Sequence, residues 1–347
     1  MTRPLICFIL LSFYACKSPE TVTKQSEKTT SEKNTDVLQK YINTITPQEL
    51  KTHLYIVASD SMQGRNTGSE GQKKAGKYLI EQHQKNGLSY PTGADSFYQK
   101  VPADFMKRRF GPKLPDSENI WTFIEGSTHK DEIVVVSAHY DHVGYKGQEI
   151  YNGADDDGSG TVALIEIAQA FNKAKAAGHG PKRSILILHV TGEEYGLHGS
   201  RYYSENPLFP LEKTVADVNI DMIGRRDTIY SKTNEDYIYV IGSDRLSTEL
   251  HEINEEANKK YSKIKLDYKY NDVNDPERIY FRSDHYNFAK HGIPSIFYFN
   301  GVHEDYHKPT DTPDKIDYDI LAKRAQLAFA TAWEIANREN RIVADKK

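Results

Sequence analysis

Short runs of β-branched and aromatic residues recur through this chain, at Ile120–Ile124, Ile133–Ser137, Ile185–Val190, Val215–Ile220, Tyr237–Ile241 and Ile293–Phe299. Several are apolar without alternation, a pattern expected of strands covered on both faces. Helical patterns at Gly71–Gly87, Gly160–Ala174, Leu246–Tyr261 and Tyr318–Ala336 supply that cover. Runs of strand interleaved with helix predict an α/β sandwich with a largely parallel central sheet. No internal repeat and no long Pro/Gly-rich linker interrupts the pattern, so residues 39–347 are expected to form a single catalytic domain. In open sheets of this kind ligands gather beyond the carboxyl ends of the strands, which directs attention to the residues that end each run.

The 347 residues carry 45 basic and 49 acidic side chains, a formal charge of −4, which argues against affinity for nucleic acid built on phosphate neutralisation. Near the start, Arg3 precedes an apolar run from Leu5 to Tyr14 that is too short to span a bilayer and reads as a signal peptide over residues 1–15. Cys16 follows Ala15 where a bacterial lipobox would be cut, and lipid on that thiol would explain a lone cysteine outside the cytosol. Cys7 leaves with the signal, so no intramolecular disulfide is expected. Residues 16–38, rich in Ser, Thr, Lys and Glu, read as a solvated tether. The expected location is extracytoplasmic, with the membrane reached only through the lipid anchor.

The strand ends carry the chemistry. The second run closes on His139-Tyr140-Asp141-His142, where residues two apart share a face and a carboxylate could orient an imidazole. Asp155-Asp156-Asp157 follow, just before the helix that opens near Gly160. The third run leads into Glu193-Glu194, in which one carboxylate could ligate while its neighbour moves protons. Asp221 sits in an otherwise apolar stretch, where an unpaired carboxylate is costly. His307 lies in a turn-rich segment near Pro309. Each signal alone has a bland explanation. Together, His139, Asp156, Glu193/Glu194, Asp221 and His307 come from five separate pieces, and two imidazoles with several carboxylates and no thiolate suit catalytic zinc.

The ordered series SAHYDHVG (137–144), GADDDGSG (153–160), TGEEYGLHGS (191–200), NIDMIG (219–224), RSDHYNFAKHGIPS (282–295) and DYHKPTDT (305–312) resembles the co-catalytic zinc exopeptidases of the aminopeptidase S, leucyl aminopeptidase and glutamate carboxypeptidase kind. The resemblance extends over roughly residues 50–335, including SDSMQGRNTGSEGQKKAGKYL (59–79). It implies a three-layer sandwich around a mostly parallel mixed sheet. It further implies two zinc ions, the first held by His139 and Asp221, the second by Glu194 and His307, with Asp156 bridging them. In relatives the peptide bond after the bridging acid is cis, which here would join Asp156 to Asp157. Asp141 would orient His139, Glu193 would be the general base, and Tyr306 is placed to steady an oxyanion. The stretch from Gly87 to Asn119 is too short for the protease-associated domain of longer members.

The expected activity is removal of N-terminal residues from peptides by a hydroxide bridging two zinc ions. Three alternatives share the fold: glutaminyl-peptide cyclotransferase, a carboxypeptidase, and a non-catalytic peptide-binding homologue. Arg225, Arg226, Arg278 and Arg282 are the candidates for holding a substrate carboxylate. Phe297, Tyr298 and the loops around 225–236 and 268–280 are expected to shape the side-chain pocket. Asp284 and His285 start a short helix, with capping or a pocket wall as their roles. His142, His189, His198, His285 and His303 receive no assigned role, and oligomeric state is unassigned.

Overall fold

The computed structural model describes residues 37–346 except residue 110, together with Met1. The signal segment, Cys16 and the tether as far as residue 36 lie outside the described residues. All six apolar runs are strands: β2 (Ser117–Ile124), β3 (His129–His139), β4 (Arg183–Val190), β5 (Thr214–Ile220), β6 (Tyr237–Ile241) and β8 (Ser295–Phe299). β8 starts later than its run because Pro294 has no N–H to give a ladder. Two edge strands, β1 (Tyr98–Val101) and β7 (Lys265–Asp267), escape the sequence pattern because they are short and only partly covered.

These eight strands form one sheet in the order β1-β2-β4-β3-β5-β8-β6-β7. The centre, β4-β3-β5-β8, is parallel. β1–β2, β2–β4 and β8–β6 pair antiparallel, and β6–β7 pair parallel, so the sheet is mixed.

Alternation along the strands sorts side chains to two covered faces. Val134, Val136, Ile185, Ile187, Val218 and Ile296 point into the larger core, and Val135, Leu186 and Leu188 point into the opposite one. The larger core is closed by α1 (Pro47–Val57), α2 (Glu70–Lys85), α3 (Gly160–Ala176), α5 (Thr248–Ala257) and α7 (Tyr318–Asn337). The second face is covered by α4 (His198–Glu205) and α6 (His285–Ala289), which contribute Tyr203 and Phe288. Helices therefore lie on both sides of the sheet. The predicted helix Leu246–Tyr261 is α5 followed by a wider turn, Asn258–Ser262, that stops at Lys263 in the left-handed region (φ 52°). In α2, Ala75, Leu79 and His83 recur at four-residue spacing on the buried face, and Ser69 caps the helix by accepting from the Gln72 N–H at 3.3 Å. Among the described residues no helix is long and apolar enough to cross a membrane.

Candidate metal centre

Because the four central strands run the same way, their carboxyl ends open on one edge, and the predicted polar residues meet there. His139 ends β3 opposite Val190 of β4, so Glu193 and Glu194 stand just beyond its neighbour. On the other side Ser137 pairs with Asn219 of β5, which places Asp221 beside His139. Asp156 arrives on the segment leading into α3, and His307 on the loop after β8.

That α3 segment, Ala154–Ser159, leaves helical φ/ψ at Asp156 and Asp157, and the peptide bond joining them is cis. Gly153 before it has φ 54°, and a Cβ there would overlap the Asp156 carbonyl oxygen and the His142 ring. Arg65 pins the segment. Its fully buried guanidinium donates to the main-chain oxygens of Val57 at 2.9 Å, Tyr140 at 3.0 Å, Asn152 at 2.7 Å and Gly153 at 2.9 Å. His307 and Met222 also hold left-handed backbone, with φ 54° and 61°, a conformation costing about 1–3 kcal/mol that clusters at functional sites.

The five expected ligands converge. His139 Nε2 lies 3.3 Å from Asp156 Oδ1 and 3.5 Å from Asp221 Oδ1. His307 Nε2 lies 2.9 Å from Asp156 Oδ2 and 3.1 Å from Glu194 Oε2. Asp156 thus offers one oxygen toward each histidine. Buried donor atoms His139 Nε2, Asp156 Oδ2 and Glu194 Oε1 have no aligned hydrogen-bond partner despite this closeness. Atoms that crowd a common point without bonding each other are what a shared cation would satisfy, so the set fits divalent metal.

Two residues join this set that the motif reading left aside. His142 is fully buried, with Nδ1 2.6 Å from Glu194 Oε1 and 3.8 Å from Asp156 Oδ2, again without hydrogen-bond alignment. Asp157 groups with His139 and Asp221, but its Oδ1 is already committed to the N–H groups of Gly160 and Met222.

The surrounding shell differs from expectation in several places. Asp141 does not hold the His139 ring through its carboxylate, which stands 3.8 Å from Nδ1; that nitrogen is 3.1 Å from the Asp141 main-chain oxygen instead. The Asp141 carboxylate accepts from Thr67 Oγ1 at 2.7 Å and from the Glu193 N–H at 3.2 Å, so it positions the backbone of the expected base. Asp221 Oδ2 accepts from Ser283 Oγ at 2.7 Å. Asp311 accepts from the N–H groups of Asp155 and Asp156. Asp155 accepts from the Gly224 N–H at 2.6 Å and lies 3.1 Å from His303 Nε2. Asp284 occupies the N-cap position of α6 but does not cap it; it accepts from the Ser200 hydroxyl. Tyr298 faces the larger core, bonded to Asn254 and Thr331, so only Phe297 of that expected pair reaches the site.

Burial and neighbouring charge shift the groups at this edge. Burial, reinforced by Asp221 and Glu194, holds the Glu193 carboxyl well above the usual range against the pull of His139. For Asp156 burial acts upward, but the close His139 and His307 rings outweigh it and hold the carboxyl well below the usual range. Burial acts against a charged His307, yet Asp156 and Glu194 push it up to about 10. Beside the donor set opens a small cleft, lined by Glu193, Asp221, Met222, Phe297 and Tyr306 among others. The Tyr306 ring stacks on His307, centroids 3.9 Å apart.

Residues 119–332 match the profile of Peptidase family M28. A probable leucine aminopeptidase of Arthroderma benhamiae is 32% identical over 225 residues, covering 63% of this chain but 57% of the relative, so the chain spans little over half of that protein's length. Among solved structures, the zinc aminopeptidase BSAP of Bacillus subtilis superposes with a TM-score of 0.63 at 18% identity, covering 87% of this chain and 99% of its own. The glutaminyl cyclase of Porphyromonas gingivalis gives 0.64 at 19%, covering 82% and 97%. At such identities the likeness carries the three-layer fold, and the fold hosts both chemistries.

Proposed function

The chain belongs to peptidase family M28, and from that premise we propose that it is a zinc-dependent exopeptidase that removes N-terminal residues from peptides. The observation that carries the reading is a half-buried carboxyl, Glu193, set beside a donor set whose atoms converge without bonding one another. His139, Asp156 and Asp221 would hold one zinc ion and Asp156, Glu194 and His307 a second. Bound there, the ions would supply Lewis-acid activation of water and of the scissile carbonyl.

The chain's own groups do the rest. Glu193 is not among the converging donors, so its carboxylate is free to take a proton from the attacking water and return it to the leaving nitrogen, and the burial and neighbouring acids that raise its proton affinity strengthen it as a base. Asp141 fixes the Glu193 main chain through the 3.2 Å bond to its N–H. Ser283 steadies Asp221, and Asp311 holds the main chain of Asp155 and Asp156, so the donors are set before substrate arrives. Tyr306 lines the same cleft, and in this reading its hydroxyl would donate to the developing oxyanion. The relatives' names, aminopeptidase among them, agree with this reading.

Mass analysis of a defined peptide mixture incubated with zinc-loaded protein tests it. Stepwise loss of N-terminal residues is expected. Trimming from the carboxyl end, cyclisation of an N-terminal Gln peptide, or intact peptides would each overturn it. The same proposal places the chain outside the cytoplasm, held by lipid on Cys16. A radiolabelled fatty acid should enter the wild-type chain in a bacterial host and be absent from Cys16→Ser; equal labelling would reject the anchor.

A further inference from the structure

Four arginines were candidates for holding a substrate carboxylate, and the structure separates them. Arg225 is paired with Asp305 at 2.9 Å. Arg226 is paired with Asp317 and with Asp236. The Arg278 guanidinium lies over the Phe281 ring, 4.9 Å from its centroid. Arg282 alone of the four lines the cleft that also exposes Asp156, Glu193 and Asp221. Its guanidinium has no ion pair or hydrogen bond with any described residue, although three carboxylates line the same cleft.

The position is built rather than incidental. The main-chain N–H of Arg282 donates to Ile279 at 2.9 Å, closing a short turn. The next residue, Ser283, is tied both to Asp221 at 2.7 Å and to Asn219 at 2.8 Å. The backbone that carries Arg282 is thereby fixed to the donor set. Elsewhere the cleft walls are apolar, formed by side chains such as Met222, Phe297 and Phe299. Arg282 is itself exposed, so its five N–H donors stand at this cleft without a partner among the described residues.

We infer that Arg282 binds a carboxylate of the substrate, so that this cleft selects peptides bearing a negative charge next to the scissile bond. The inference rests on the exopeptidase reading and names its substrate class. A guanidinium and a carboxylate form two parallel charge-assisted hydrogen bonds. The free ammonium of the peptide is repelled by Arg282 and drawn to the acidic side, which orients the substrate across the cleft. The carboxylate has two possible sources: an acidic side chain on the N-terminal residue, or the free carboxyl terminus of a dipeptide.

Binding measured by calorimetry on the zinc-loaded full-length protein tests this without relying on turnover. The protein carries Glu193→Gln, so that peptides persist, with or without Arg282→Met, which keeps the stem and removes the charge. The probes are L-glutamate against L-glutamine, and Leu-Gly against Leu-Gly-amide. In the Arg282 protein the charged member of one pair binds about tenfold more tightly or better, and Arg282→Met brings that ratio close to one. The pair that responds identifies the source. Ratios that do not change on substitution in either pair overturn the inference, as does the absence of any preference for the charged probes. Should the ratio collapse as expected while wild-type protein hydrolyses no peptide, Arg282 keeps its role and the exopeptidase reading falls.

Discussion

At the scale of single residues, the decisive pair is Glu193 and Glu194, adjacent in sequence and different in surroundings. Glu194 points both oxygens at histidines, His142 at 2.6 Å and His307 at 3.1 Å, whereas Glu193 faces the cleft. Replacing Glu193 by Gln preserves shape and removes the proton-accepting oxygen. Glu193→Gln is expected to retain its zinc by elemental assay while kcat falls at least about 10²-fold. Unchanged turnover would remove Glu193 from the proton path. The five expected donors were legible because each puts charge where a strand ends or an apolar run should continue. His142 was not, although it stands only three residues after His139. Nothing in a short spacing tells that the chain bends back and brings its ring beside Glu194. Asp311 and Asp155 act on main-chain N–H groups, and sequence carries no mark of which amide a carboxylate will meet.

Elements explain how such loops are held still. α3 follows directly from the cis segment, and its side chains are buried along almost its whole length, between the sheet and α1, α2 and α7. Phe171, fully buried, stacks on Trp333 of α7 with centroids 5.9 Å apart and meets Phe329 edge-on at 4.8 Å. Phe171→Ala should cost about 3–5 kcal/mol in urea unfolding. Zinc content of the folded fraction should stay as in wild type, since the ring lies in the core beneath the donor edge. A loss below 1 kcal/mol would mean the α3–α7 contact is not what anchors the helix. The central strands were readable because continuous apolar runs have no other comfortable place. The edge strands β1 and β7 were not, because half-exposed polar strands look like loops.

Across the whole molecule, buried ionisable groups set the response to pH and metal. His83 and His189 lie with their Nε2 atoms 3.0 Å apart, both fully buried, and His285 is buried against Phe297. Burial pushes His83 and His285 down to about 3, and His189 well below its usual value. A histidine depressed in the fold binds its proton more readily when unfolded. Its contribution is therefore complete above the unfolded value, about 6.5, and drains away as pH falls from there toward 3. Stability by urea titration should decline below pH 6.5, and His83→Asn/His189→Asn should flatten that slope by up to about 1.4 kcal/mol per pH unit for each histidine removed. An identical slope would show that these rings do not stay neutral. Metal acts through the same logic. Chelation leaves a crowd of buried carboxylates uncompensated, so stripped protein should melt at lower temperature, and free zinc at 100 times its dissociation constant should restore about 2.7 kcal/mol. Identical melting with and without chelator would deny the edge a structural ion.

The Arg65 clamp carries one more consequence, for the order in which this chain can be completed. Its four acceptors belong to Val57, Tyr140, Asn152 and Gly153, so a segment made early is tied to one synthesised nearly ninety residues later. A protein carrying Arg65→Met would still own all eight strands and α1 yet lack the bolt behind Gly153. Such a substitution should announce itself in leaking zinc while far-ultraviolet dichroism still reports an intact sheet.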